Sequence, residues 1–174
     1  GDDRSVICLR QGLKAWEPLV FRRIDNMALA ERVARQIDAF RPDAVFVDAG
    51  CGGGVIDRLR QLGFCVTEVP FGGAPARPGQ YANKRAEMWG DMAAWIKAGG
   101  ALPECPELKA DLCQVCYDFD AAGRMRLEPK EKIKERCGKS PDLADALALT
   151  FAAPVRPRRG DNAREFAQSD YDVV

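Results

Sequence analysis

Asp142 and Asp145 stand three residues apart in the run SPDLADALALTFA, residues 140–152. On a helix that spacing places them on one face, while Leu143, Leu147 and Phe151 turn toward a core. Two carboxylates on an otherwise alanine-rich face suit a divalent cation that takes oxygen ligands. A plainer reading stays open, because an acid near a helix N-terminus complements the helix dipole. That reading fits Asp142 and fits Asp145 less well, one turn further in. Asp48 is the third carboxylate of interest. It ends the apolar run AVFVD, residues 44–48, and ligand sites in open α/β sheets lie beyond the carboxyl ends of strands. There it could hold a metal or a ribose, or simply accept backbone N–H bonds from the turn that follows.

The chain contains no histidine. That excludes Ser-His-Asp and Cys-His catalysis, histidine-ligated zinc and histidine general bases, and leaves carboxylates, Lys, Tyr, Cys or a cofactor to carry any chemistry. The cysteines number seven, an odd count scattered through apolar runs, which predicts reduced thiols rather than a disulfide framework. Cys113 and Cys116 form one CxxC, but no second pair or histidine completes a zinc site. Net charge is zero, so the sum does not mark a nucleic-acid binder. The distribution does more. Residues 124–139 hold seven basic side chains (Arg124, Arg126, Lys130, Lys132, Lys134, Arg136 and Lys139) against three acidic ones. This is a phosphate-contacting cluster or a solvated helix of alternating charge.

The elements that must position these residues can be read from periodicity. The 174 residues, 47% hydrophobic and 30% charged, suit one domain with its own core, placed at 1–153, and a tail at 154–174 with little periodicity. Residues 5–10 and 17–22 predict a hairpin around Gly12, and 27–40 an amphipathic helix. Strand 44–48, helix 54–62 and strand 64–69 predict a parallel β-α-β unit. The glycine- and proline-rich stretch 71–80 predicts a loop. Helices follow at 84–98 and 107–114, then a hairpin at 115–119 and 124–128, a charged helical stretch at 130–136 and a last helix at 141–151. Ser140 suits the N-cap of that helix and Pro141 its first position. Nothing approaches a bilayer-spanning apolar run or a signal-peptide pattern, so an intracellular protein is expected.

Two motifs point to families. DAGCGGG, residues 48–54, could be a nucleotide-binding turn before a helix N-terminus. It also resembles the first motif of S-adenosylmethionine methyltransferases, with Glu68 placed to hold a ribose. The broader resemblance is carried by SPDLADALALTFA, GQYANKRAEMWGDMAAWI, RLEPKEKIKER and VFVDAG followed by GGGVIDRL. In order and spacing, across roughly residues 1–153, these resemble the nuclease domain of phage large terminase subunits.

That resemblance implies an RNase H-like α/β fold, a mixed central β-sheet flanked by helices. It implies an endonuclease that cuts concatemeric double-stranded DNA during viral genome packaging, using Mg²⁺ or Mn²⁺. Asp48 then matches the carboxylate at the end of a central strand, and Asp142 the one opening the last helix, with Asp145 beside it. Gly1-Asp2-Asp3 matches a turn after a first strand, whose own aspartate would lie ahead of Gly1, and Asp3 becomes an accessory metal ligand. Two ions about 3.5–4 Å apart would activate water and stabilise the leaving oxygen. Lys84, Arg85, Arg124, Arg126, Lys130 and Lys132 are expected to contact DNA phosphates. The implied partners are the portal and small terminase subunit, and the implied setting is the host cytoplasm. No GxxxxGK[ST] motif for the motor's ATPase is present. The methyltransferase and a non-enzymatic motor docking module are the competing expectations.

Overall fold

A computed structural model of the chain describes residues 4–156. Its first part is a hairpin inside a hairpin. β1 (Arg4–Ile7) pairs antiparallel with β4 (Leu19–Arg22), Arg4 opposite Arg22 and Ile7 opposite Leu19. Between them β2 (Arg10–Gln11) and β3 (Lys14–Ala15) pair across Gly12. The reversal needs a residue at φ 54°, which glycine adopts without a Cβ clash.

Helix α1 (Asn26–Phe40) starts where the Asp25 carboxylate accepts the Ala28 amide, and ends at Arg41, whose N–H donates to the Ile37 carbonyl. Its stripe of Leu29, Ala30, Val33, Ala34 and Ile37 packs on Val55, Ile56 and Leu59 of α2 (Ala49–Gln61) in a satellite core. Helix α2 connects two parallel strands, β5 (Phe46–Asp48) and β6 (Thr67–Val69). The expected helix at 54–62 therefore begins five residues early, and the glycine run is helical rather than a turn. Each interior glycine costs a helix about 1 kcal/mol against alanine. Two features offset this. Asp48 caps the helix, and Gly54 lets α1 approach, since a Cβ there would stand 2.6 Å from Asn26 Nδ2.

The main core forms around α3 (Lys84–Lys97) and α6 (Asp142–Leu149). Met88, Trp89, Met92 and Trp95 of α3 meet Leu143, Leu147 and Ala148 of α6, with Leu108 from α4 (Pro106–Gln114). Helix α3 is capped by Asn83, which accepts the Ala86 amide. The hairpin β7 (Tyr117–Phe119) and β8 (Met125–Leu127) and the helix α5 (Lys130–Cys137) lie where periodicity places them. The start of α6 does not. Pro141, not Ser140, sits at its N-cap, with no side-chain cap. The capping oxygen comes from the fully buried Asp111 of α4, which accepts the Leu143 amide at 3.1 Å and takes the Lys139 ammonium at 2.9 Å.

The expected mixed sheet is present as pairs. Among the described residues the strands form four two-stranded units, of which β1–β4 is antiparallel and β5–β6 parallel. Helix α6 packs against both β1 and β5, so the two pairs share one helical layer. No helix among the described residues is long and apolar enough to cross a membrane.

Candidate functional site

Between β1 and β5 lies a cleft of about 2260 Å³, and Asp48, Asp142 and Asp145 all line it. The three carboxylates meet it in different states. Asp48 is both the last residue of β5 and the N-cap of α2, so the chain itself turns it toward the strand end. Its Oδ1 accepts the Gly50 amide at 2.9 Å. Its second oxygen has no hydrogen-bond partner among the described residues.

Asp142 opens α6 and is half-buried, and its Oδ2 accepts Arg4 Nε at 3.1 Å. Burial lifts its carboxyl above the usual carboxylate range, and Arg4 opposes that rise. Arg4 also pairs with Glu107 and donates to the Ser140 carbonyl, so it ties β1 to α4 and to the α6 start.

Asp145 is a different object. It is 4% exposed. Its Oδ1 accepts both Arg85 Nε (2.9 Å) and Trp89 Nε1 (2.8 Å), and Lys130 Nζ stands 3.1 Å from Oδ2. Arg85, 7% exposed, donates further to the Glu128 carbonyl. A carboxylate in low dielectric needs such compensation, and here it binds α3, α5 and the β8 end to α6.

The three expected ligands thus share a cleft without forming one coordination sphere. Among the described residues no three His, Cys, Asp or Glu side chains gather as a metal site. Asp3 lies outside the described residues. The donor chemistry is right for hard cations, since every candidate is a carboxylate oxygen. Asp48 and Asp142 have capacity to spare; in Asp145 the hydrogen bonds fall on Oδ1, while the buried Oδ2 accepts none and has the Lys130 ammonium 3.1 Å away.

The expected phosphate contacts divide. Arg85 is withdrawn from solvent by its pairing with Asp145. Lys84 is turned onto Glu87 at 2.8 Å, Arg124 onto Asp120 at 2.8 Å and Arg126 onto Asp118 at 2.6 Å. Lys130 serves Asp145 and sits over the Phe71 ring, 4.8 Å from its centroid. Lys132 is exposed.

Glu87 was not legible as a functional residue. It is buried on α3 and accepts the amides of Ala76 (3.0 Å) and Arg77 (2.9 Å), the Arg77 guanidinium and the Lys84 ammonium. It therefore clamps the glycine- and proline-rich loop 71–80 beside the cleft. Burial raises its carboxyl, but these donors override burial and bring it down to about 2. The sequence signal is an acid placed directly before Met88 and Trp89, among the apolar residues of α3. The glycines of DAGCGGG, being helical, do not form the loop that an adenosyl or nucleotide site needs.

No protein-family model matches the chain, and no curated protein does. Solved structures do. The nuclease domain of the large terminase subunit gp2 of bacterial virus Sf6 superposes with a TM-score of 0.74 at 20% identity, over 89% of this chain and 84% of that one. A lysine-to-alanine mutant of the same domain with manganese gives 0.66 at 21% identity, over 84% and 82%. The large terminase nuclease from thermophilic phage G20c with bound magnesium gives 0.62 at 15% identity, over 87% and 75%. The chain therefore has the RNase H-like α/β fold of these domains.

Proposed function

We propose that this chain is a metal-dependent endonuclease domain of a phage DNA-packaging terminase, hydrolysing phosphodiester bonds of double-stranded viral DNA in the host cell. The observation that supports the reading is that Asp48, at the end of β5, and Asp142, at the start of α6, line one cleft in a fold shared with terminase nucleases. Solved relatives of that fold carry manganese or magnesium, and the donor set here is carboxylate only.

A divalent ion held by Asp48 and Asp142 would supply Lewis-acid stabilisation and would lower the pKa of water, a role no histidine can take in this chain. The residues of the chain do the holding. Asp48 offers its uncommitted oxygen from the strand end. Asp142 offers its Oδ1, while its Oδ2 accepts Arg4 Nε. Asp145, locked by Arg85 and Trp89, fixes the pitch of α6 and so the position of Asp142. Lys132 and the other exposed bases of α5 supply sequence-independent attraction to phosphate. In the full motor, the ATPase domain, portal and small subunit would deliver the duplex to this cleft.

Incubation of supercoiled plasmid with the chain tests the reading. Nicking that needs Mn²⁺ or Mg²⁺ and stops with chelator is expected, along with no binding of S-adenosylmethionine by calorimetry. Cleavage that persists in chelator, or micromolar binding of S-adenosylmethionine, would overturn it.

A further inference from the structure

We propose that Arg4 is a positioning residue for Asp142: its guanidinium fixes one carboxylate oxygen in place, is itself neutralised by Glu107, and leaves the other oxygen to a divalent cation. The inference rests on the reading of Asp142 as a metal ligand. It adds a residue that acts through that ligand and not on the ion.

The first observation is geometric. Strand β1 packs on α6, which brings Arg4 to the start of that helix. The Arg4 side chain is 5% exposed, and each of its three nitrogens is committed to a different acceptor. Nε donates to Asp142 Oδ2 at 3.1 Å, Nη1 to Glu107 Oε1, and Nη2 to the Ser140 carbonyl at 3.1 Å. These acceptors lie on α6, on α4 and on the residue two before α6. A guanidinium holds its donors in a rigid planar fork, so three anchors fix its plane and with it Asp142 Oδ2. An ammonium has no such plane. Asp142 Oδ1 accepts no hydrogen bond among the described residues, and Asp142 lines the cleft.

The second observation is the charge around the fork. A cation beside a metal ligand repels the incoming ion, and the repulsion is strong where water is excluded. Here the cations are answered by carboxylates other than Asp142. Glu107 pairs with Arg4, and the fully buried Asp111 takes Lys139 at 2.9 Å, with Lys139 also 3.8 Å from Glu107. Two cations thus meet the three carboxylates Glu107, Asp111 and Asp142, and the cluster keeps one net negative charge for a metal. The rival role for Arg4 is that of a stand-in cation which the metal expels. Its burial and its anchors at Glu107 and Ser140 oppose that role, because a desolvated guanidinium would have to give up or strain three bonds at once.

The sign of one change separates these roles. Mn²⁺ binding to the whole chain is measured by calorimetry for the parent, Arg4→Gln and Arg4→Lys, each shown to be folded by a cooperative melt. Arg4→Gln should bind Mn²⁺ about tenfold more weakly, although a positive charge has been removed. Arg4→Lys should not restore the affinity, because it returns the charge without the fork. Tighter binding by Arg4→Gln makes Arg4 a competitor of the metal, and unchanged binding makes it structural only. Either result overturns the proposal, as does parent-like affinity in Arg4→Lys. If the variants do not fold, the Arg4 Nε–H resonance of the parent decides. It should persist, protected from solvent exchange, at saturating Mg²⁺, and its loss on adding Mg²⁺ overturns the proposal. A parent chain that binds no Mn²⁺ overturns the metal-site reading and this inference with it, whereas a binding parent with an unaffected Arg4→Gln variant overturns this inference alone.

Discussion

The two walls of the cleft are built on opposite principles. The β5–α2 wall is local, since Asp48 is oriented by the strand it ends and the helix it caps, through a hydrogen bond to an amide two residues on. The α6 wall is assembled from afar. Asp142 leans on Arg4, Asp145 on Arg85 and Trp89, and the helix start on Asp111, partners 138, 60, 56 and 32 residues away in sequence. A local wall can be changed in chemistry without loss of shape. A wall held by buried charge loses shape as soon as one partner goes.

The largest expected effect is therefore on the α6 wall. Asp145→Ala leaves Arg85 buried and unpaired and should cost about 3–5 kcal/mol in urea unfolding. The double replacement Arg85→Met with Asp145→Leu should recover most of that loss, because two apolar side chains leave no buried charge. A single-mutant cost below about 1 kcal/mol, the range of a surface pair, would show that the ion pair does not hold the wall.

Next is the Glu87 clamp on loop 71–80. Its folded carboxyl sits near 2, below an ordinary value of 4.5. A depressed acid contributes stability that is fully present above its unfolded pKa and is lost as pH falls through the folded one. The loss should thus fall between about pH 4.5 and 2 and amount to about 3 kcal/mol. Glu87→Gln should be less stable at neutral pH and should flatten the acid limb of the melting temperature. An acid limb unchanged by the substitution would remove Glu87 from that role.

The local wall should respond the other way. Asn caps helices about as well as Asp, so Asp48→Asn should shift stability by no more than about 0.5 kcal/mol yet abolish metal-dependent nicking. Full nicking by this variant would take Asp48 out of the site. The smallest effect is one of reactivity. Burial, with Cys105 nearby, pushes the Cys8 thiol up to about 12, and its Sγ lies 3.9 Å from the Leu143 carbonyl. Cys8 should resist alkylation at neutral pH, while the exposed Cys65, Cys113 and Cys116 react. Mass-spectrometric counting of labelled thiols checks this.

The same division between local and distant explains what could be read from the sequence. Helix α1 and the β7–β8 hairpin are written in periodicity and turn residues and stand where those signals place them, and the β5–α2–β6 unit has the predicted order and parallel pairing. Asp48 could be singled out because its strand end and its cap are adjacent in the chain. The extent of α2 was missed because glycine propensity argues against helix, and only the Asp48 cap and the approach of α1 reverse that. The cap of α6 was misplaced onto Ser140 because the oxygen that accepts the Leu143 amide belongs to Asp111, on another helix. Arg85 looked like a phosphate contact because a basic residue early in a helix is usually exposed. Nothing within four residues of it reveals that Asp145 draws it inward.

The central claim is that Asp48 and Asp142 hold a divalent ion between the local wall and the assembled one. Diffraction from crystals soaked in millimolar-range Mn²⁺ tests it directly. The account predicts an anomalous peak in contact with both carboxylates, lost when Asp142 is replaced by Asn. Manganese bound elsewhere on the chain, with neither Asp48 nor Asp142 touching it, would contradict the account.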